Sequence, residues 1–329
     1  LIMATYKEIK GTQIEAVATD PSNPVEGQVW YNTTSNALKG FKLLATGSWA
    51  TVNSMNTARY AAAAASAIGT ASIVFGGAVG PSSTDTVNTE TWNGTNWTEV
   101  NNLNVARNQF AGFGTSTSAI AAGGNKNPGT GNETELWNGT NWTAVNTLTS
   151  ARRLMPGAGV DSTAGIVAGG LGPPTYAITE SWNGTNWTEV NDLNASRYQN
   201  AMFGTATAAL SFGGDDTPDA TVTETWNGTN WTEVNNLNKG CKSGAAAGYN
   251  SNTSGLRIGG FFSPPGNLNE TEEWNGTNWT EVNNLNTARG DLAGGGNTSS
   301  AIVSGGDPAT AVAEQWSGTT PSTVTFTDS

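Results

Sequence analysis

An all-β propeller of six blades is the fold this sequence predicts, and three observations carry the prediction. The segment TETWNGTNWTEVNNLN recurs, with its first Trp at Trp92, Trp137, Trp182, Trp226 and Trp274 and a degenerate last copy at Trp316. A Gly-Gly pair recurs in step, at Gly76-Gly77, Gly123-Gly124, Gly169-Gly170, Gly213-Gly214, Gly259-Gly260 and Gly305-Gly306. The period is 42 to 48 residues over six copies, the range in which one repeat makes one four-stranded blade.

The repeat from Arg107 to Asn146 justifies each strand in turn. Asn108–Thr115 alternates small and large residues and reads as strand a. Ser118–Ala122 is a short apolar strand b that ends at Gly123-Gly124, where positive φ and close backbone approach are available. After a loop, Glu133–Trp137 is strand c. Asn138-Gly139-Thr140-Asn141 is a turn, because Asn-Gly tolerates the positive φ of a tight hairpin. Trp142–Val145 is strand d.

Strands a converge on the axis of such a fold, and they are correspondingly small: Ala61–Ala65, Gly157-Ala158-Gly159, Ala245-Ala246-Ala247 and Gly294-Gly295-Gly296. The Ala run has helical propensity, but its register against the other repeats makes it an inner strand. The two Trps of each repeat are expected to cement neighbouring blades.

There are six a-b-c sets and seven candidates for strand d. SWATVNSMNTAR (Ser48–Arg59) matches NWTEVNNLNVAR (Asn96–Arg107) without a gap, whereas Thr320–Phe326 puts Pro321 where the Trp belongs. Proline removes a ladder donor. Ser48–Asn53 is therefore expected to complete the blade of Trp316. The division that follows is residues 1–46, a propeller over residues 47–316, and a C-terminal tail over residues 317–329 able to supply an added strand.

Composition bounds the function. The net charge is −12. Residues 1–46 balance Lys7, Lys10, Lys39 and Lys42 against Glu8, Glu15, Asp20 and Glu26, so the whole of that charge lies beyond them. An acidic disc is a poor partner for nucleic acid, which needs clustered Lys and Arg. No apolar run is long enough for a membrane-spanning helix, and LIMATYKEIKG lacks the apolar stretch of a signal peptide. Met3 reads as a start. The chain has one cysteine, Cys241, and no histidine. The commonest general base and metal ligand is thus missing, and no metal or cofactor is expected. Cys241 has no His to activate it and reads as a packing residue.

An Arg before strand a, Gly-Gly after strand b and aromatics on strands c and d resemble the kelch repeat over roughly residues 48–316. Trp stands here where Tyr often stands on strand c. The resemblance implies a propeller that binds a partner and does not by itself imply an enzyme. The segment EIKGTQIEAVATDPSNPVEGQVWYNTTSNALKGF, followed by near-identical Asn/Thr/Trp repeats, resembles virion-associated proteins of marine bacteriophages, labelled tail fibre or structural proteins. That resemblance implies a virion setting, with residues 1–46 as an attachment segment that contacts other virion proteins.

Candidate site residues fall in two sets. Arg59, Arg107, Arg152, Arg197 and Arg289 recur before strand a, and Glu90, Glu135, Glu180, Glu224, Glu272 and Glu314 recur two residues before the first Trp. They read as repeated structural pairs, against the alternative of an Arg ring that holds an anion. The fifth repeat departs, with Lys239-Gly240-Cys241-Lys242. The second set lies where repeats differ. Connections d–a and b–c share one face, and the b–c loops (Ala78–Asn88, Asn125–Asn132, Leu171–Ile178, Asp215–Thr221, Phe261–Asn269 and Asp307–Ala311) all differ. Loops on a rigid scaffold carry function, and Tyr176, Phe261 and Phe262, with Asp215 and Asp216 as polar accessories, are the expected ligand-binding residues. The opposite NGTN face is expected to be inert, with substitutions at Asn138 and Thr140 harmless.

The function these features imply is non-enzymatic: a virion structural or adhesion protein whose loops bind a host surface glycan or protein, or which decorates the particle. No catalytic residue is assigned. A two-carboxylate glycosidase and a free secreted lectin are the alternatives.

Overall fold

The computed structural model describes residues 14–22, 27–43, 47–172, 175–215, 220–264, 266–318 and 321–326. These residues are strands, turns and loops, with no helix among them. The chain divides into two compact units, Gly47–Gly318 and Leu1–Thr46 with Thr319–Ser329.

In the larger unit each repeat is one four-stranded antiparallel sheet in the order a-b-c-d. The second repeat is Ala111–Thr115, Ser118–Asn125, Thr130–Trp137 and Trp142–Val145. The first begins with Ala63–Ile68 and Ala71–Phe75, so the Ala run is an extended strand. The sixth repeat takes its fourth strand from the other end of the unit. Ser48–Val52 pairs antiparallel with Ala313–Ser317, and Trp49 lies opposite Trp316. This is the partner that the ungapped match to Asn96–Arg107 assigns.

Three boundaries differ from expectation, the simplest being strand c, which starts at Thr130 and not at Glu133. Strand a of the second repeat starts at Ala111 because Gln109 is left-handed, at φ 56°. Strand b runs on through Gly123-Gly124 to Asn125, with a bulge between Ala122 and Gly124. A Cβ at Gly124 would sit 2.8 Å from the Asn108 carbonyl, so a side chain is excluded there and the backbone of strand b can close on the turn before strand a.

That left-handed residue recurs at Ala61, Leu154, Gln199, Ser243 and Asp291. Non-glycine residues resist this conformation, and a circuit of backbone bonds holds all six. Gln109 N–H donates to the Ala61 carbonyl, Leu154 to Gln109, Gln199 to Leu154, Ser243 to Gln199, Asp291 to Ser243, and Ala61 to Asp291, all at 2.7–2.9 Å. Each strand a also neighbours the next, and Ala293–Asn297 of the sixth repeat neighbours Ala63–Ile68 of the first.

The core lies between consecutive sheets. One cluster joins Phe113, Ile120 and Ala122 of the second repeat to Val167, Trp182 and Trp187 of the third. The strand-c Trp donates its indole N–H within its repeat, as Trp137 does to the Ser116 carbonyl at 3.1 Å. The strand-d Trp reaches back to the previous repeat, as Trp187 does to Thr134 Oγ1 at 3.0 Å and Trp49 to Thr271 Oγ1 at 3.1 Å. The last repeat has Ala313 in the Thr position, and Trp97 donates instead to the Asn53 carbonyl at 3.0 Å. Burying the ring and satisfying its N–H together explain why Trp recurs at both places.

The smaller unit is a four-stranded sheet. Glu15–Val17 runs parallel to Val29–Asn32, which is antiparallel to Ala37–Leu43, which in turn is antiparallel to Pro321–Phe326. The strand-forming part of the C-terminal tail therefore belongs with the N-terminal residues. Asp20 ties this sheet together. It accepts hydrogen bonds from Trp30 Nε1 at 2.9 Å, Asn32 Nδ2 at 2.6 Å and Lys39 Nζ at 2.8 Å, and these donors, Lys39 foremost, bring its pKa down to about 2.

Candidate functional site

The strands a and the left-handed turns before them surround a cavity of about 200 Å³ that opens to solvent. Three residue positions lie outward from its mouth in every repeat. The innermost is the left-handed residue: Ala61, Gln109, Leu154, Gln199, Ser243 or Asp291. Next comes the residue before it, which forms an antiparallel bridge to the residue that starts the b–c connection. The bridges are Tyr60 to Ala78, Asn108 to Asn125, Arg153 to Leu171, Tyr198 to Asp215, Lys242 to Phe261 and Gly290 to Asp307. The backbone is the same in all six, and the side chains almost all differ.

Asp215 and Phe261, both expected from their loops, are brought together by a residue the sequence reading passed over. Lys242 Nζ lies 2.6 Å from Asp215 Oδ2 and 5.6 Å from the centre of the Phe261 ring. The Tyr198 hydroxyl donates to the same carboxylate oxygen at 3.0 Å. Phe262 plays another part. It packs against the core cluster of Phe212, Leu268 and Trp279, so the expectation of a purely exposed aromatic pair does not hold. Phe261–Asn269 is also less of a loop than expected, since Phe261 pairs with Asn267 and Phe262 with Gly266. The Tyr176 ring covers Gly172, and its carbonyl accepts from Arg197 N–H at 3.3 Å, one residue before Tyr198. Asp216 lies outside the described residues.

The innermost ring adds further groups. Gln199 Nε2 donates to Ser243 Oγ at 2.7 Å, and Asp291 follows in the ring, its backbone N–H donating to the Ser243 carbonyl at 2.9 Å. Burial pushes the Asp291 pKa up, the Ser243 side chain opposes this, and the Asp307 charge adds to the rise. Across the mouth, Arg153 Nη1 donates to Gln109 Oε1 at 2.7 Å. The signal for these residues was present in the sequence. Aligned on the recurrent Arg, the next two positions read Tyr-Ala, Asn-Gln, Arg-Leu, Tyr-Gln, Lys-Ser and Gly-Asp.

The recurrent Arg and Glu residues lie beneath this face and are buried. Arg107 Nη2 is 3.1 Å from Glu135 Oε1 and Arg289 Nη2 is 2.9 Å from Glu314 Oε1, and Arg59–Glu90, Arg152–Glu180 and Arg197–Glu224 pair likewise. Burial pulls the Arg59, Arg107 and Arg289 pKa values down, while Glu90, Glu135 and Glu314 oppose it. The other Glu oxygen clamps the d–a connection, as Glu135 Oε2 does by accepting from the backbone and side chain of Asn104, both at 2.7 Å. Each of these guanidinium groups is buried and paired with a Glu, so the ring of Arg presents no anion site at the mouth.

The fifth repeat brings its guanidinium from another strand and without an ion pair to the clamping Glu. Cys241 stands in the Arg position, and Arg257 on strand b supplies the guanidinium. Arg257 Nη1 donates to the Glu270 carbonyl at 2.9 Å, just as Arg107 Nη1 donates to that of Glu133 at 2.8 Å. Glu133 and Glu270 each lie two residues before the clamping Glu of their repeat. Cys241 is buried in the core cluster of Phe203, Phe212 and Trp279, and burial pushes its thiol pKa up against the opposing charge of Arg257.

The NGTN face is not the passive surface expected. Asn138 Oδ1 accepts from the backbone N–H of Thr140 at 3.0 Å and of Asn141 at 2.9 Å. Asn101, at the end of the previous strand d, donates to the Thr140 carbonyl at 3.0 Å and to Asn141 Oδ1 at 2.8 Å. The same clip recurs from Asn146, Asn191 and Asn235. The turn thus fastens each sheet to the one before it.

Comparison with family models and with curated proteins found no match for this chain. Among the described residues no group of three or more His, Cys, Asp or Glu is placed to hold a metal ion.

Proposed function

We propose that this chain is a non-enzymatic binding protein, a six-bladed kelch-like propeller that engages its partner through the face around the cavity mouth. The circuit of six backbone bonds and the pairing of Ser48–Val52 with Ala313–Ser317 support the blade number and the closure. One observation carries the functional reading. Side chains that differ between repeats gather at the three positions around the mouth, while the recurrent Trp, Arg, Glu and Asn residues are engaged in bonds within and between sheets. Binding surfaces on rigid scaffolds have this distribution.

The setting proposed is a bacteriophage particle, with residues 1–46 holding the protein to other virion components and the mouth facing a host surface glycan or protein. The joint occurrence of the N-terminal segment and the Asn/Thr/Trp repeats supports that setting. Adsorption of the labelled chain to a panel of bacterial cells tests the reading. A Lys242→Met, Phe261→Ala variant is expected to lose adsorption and keep its thermal midpoint. Undiminished adsorption by this variant would remove the mouth as the binding face.

A further inference from the structure

The mouth is six-fold in backbone and lopsided in chemistry. Going round the inner ring, Ala61, Gln109 and Leu154 occupy the first three repeats, and Gln199, Ser243 and Asp291 the last three. In the first half the polar groups are fewer and spaced apart, and Asn108 donates to Asp85 of the preceding repeat. Ala61 and Leu154 are apolar, the Gln109 oxygen takes Arg153, and the Tyr60 hydroxyl is bonded to Ser83. In the second half polar groups form two adjoining rows. The inner row runs from Gln199 through Ser243 to Asp291, joined by a side-chain bond and then a backbone bond. The outer row is Tyr198, Asp215 and Lys242 beside the Phe261 ring. Residues 198 and 199, and 242 and 243, are chain neighbours, so the rows are joined by the backbone.

We infer that the sector formed by the fourth to sixth repeats is a saccharide subsite, which takes one uncharged sugar unit with its edge at Asp291 in the cavity mouth and its apolar face toward Phe261. This inference rests on the reading of the mouth as the binding face and gives it a ligand class.

Three physical arguments carry it. The first is donor and acceptor balance. A sugar hydroxyl both donates and accepts, and the sector offers carboxylate acceptors beside ammonium, phenol, hydroxyl and amide groups within one patch. An aromatic ring at its edge suits the C–H face of a pyranose. The second is size. About 200 Å³ lies below the roughly 300–1,000 Å³ of pockets that enclose drug-sized ligands, so the cavity suits the tip of a ligand and not its whole body. The third is charge. Lys242 pairs with Asp215 and Lys239 with Glu270, which leaves Asp291 and Asp307 as the sector's excess carboxylates, and the recurrent Arg residues are buried against Glu. A sugar acid would meet repulsion in this sector, and the Arg153 guanidinium at the mouth belongs to the third repeat, where it is bonded to Gln109.

The test uses the intact chain on immobilised oligosaccharides ending in a neutral hexose, an N-acetylhexosamine or a hexuronic acid. Binding to one or both uncharged termini is expected, weakened at least about tenfold by Asp291→Asn and by Lys242→Met. Asn tolerates the left-handed conformation at position 291, so the first variant keeps its turn, and circular dichroism melts check both. Preference for the hexuronic terminus, or loss through Arg153→Ala with Asp291→Asn unchanged, overturns the subsite and leaves the mouth as a binding face. Mouth-dependent adsorption to cells with no oligosaccharide bound overturns the sugar class alone. Absence of both overturns the subsite together with the reading it rests on.

Discussion

The same six repeats build two faces. On the turn face, Asn138 gives its side-chain oxygen to two backbone N–H groups, and Asn101 reaches across from the preceding sheet to the next turn. This happens in repeat after repeat with the same residues. On the loop face the backbone repeats just as faithfully, bridge for bridge, but the side chains on it do not. Lys242 meets Asp215 and Phe261, whereas Asn108 at the equivalent position of the second repeat donates to Asp85. The difference shows what repetition means here. A residue recurs where its bonds join sheets, and it varies where the backbone already holds the fold and the side chain is left for other work.

That contrast orders the effects of substitution. The largest belong to the groups that join sheets. Trp182→Ala and Trp137→Ala should each cost about 3–5 kcal/mol in chemical denaturation, since both rings are almost fully buried and bonded at the indole N–H. A loss below about 1 kcal/mol would place these rings outside the packing and break the contrast at its strongest point.

Removing one member of a buried pair should be comparably severe. Arg107→Ala leaves Glu135 buried without its cation, at about 3–5 kcal/mol. The fifth repeat sharpens this. Cys241→Arg alone brings a second guanidinium toward Arg257, whereas Cys241→Arg combined with Arg257→Val restores the arrangement of the other repeats. The double variant should be more stable than the sum of the two single effects, by a coupling of roughly 0.5–3 kcal/mol. Simple additivity would mean that the two positions do not share one site.

Smaller effects separate residues that look alike. Phe262→Ala should cost roughly 1–2 kcal/mol through the core it half fills, and Phe261→Ala under about 0.5 kcal/mol. Asn138→Ala, which orphans two turn N–H groups, should cost about 1 kcal/mol, and Thr140→Ala almost nothing, because the bonds at residue 140 are made by its backbone. Thermal melts read all four. Lys242→Met should also be mild, since an exposed ion pair contributes about 0.2–1 kcal/mol and the Lys242–Asp215 pair is about one-third exposed.

How much was legible in the sequence follows from the same contrast. The strands, the inter-sheet Trps, the Arg–Glu pairs and the placement of Ser48–Asn53 were readable, because each is marked by a residue type that recurs at a fixed offset. The left-handed ring was not, because Ala61, Gln109, Leu154, Gln199, Ser243 and Asp291 share a backbone conformation and no chemistry. The Arg257 substitution for the missing Arg was hidden because its two halves lie on different strands, 16 residues apart in number. Half of the mouth cluster was found from diverging b–c loops, through Asp215 and Phe261. Tyr198, Lys242 and Asp291 sit on the d–a side, just after the Arg position, where no single residue type recurs through the repeats to mark them. Phe262 was misjudged because alternation along an extended strand turns neighbouring side chains to opposite faces, and this segment read as a loop.

The claim that the mouth binds and the turns hold is tested most directly by amide hydrogen exchange on the intact chain, free and adsorbed to cells that it recognises. The account predicts added protection at peptides covering Tyr198–Gln199, Lys242–Ser243, Phe261 and Asp291, with the Asn138–Asn141 turn and its equivalents unchanged. Added protection at those turns, with the mouth peptides unchanged, would contradict it.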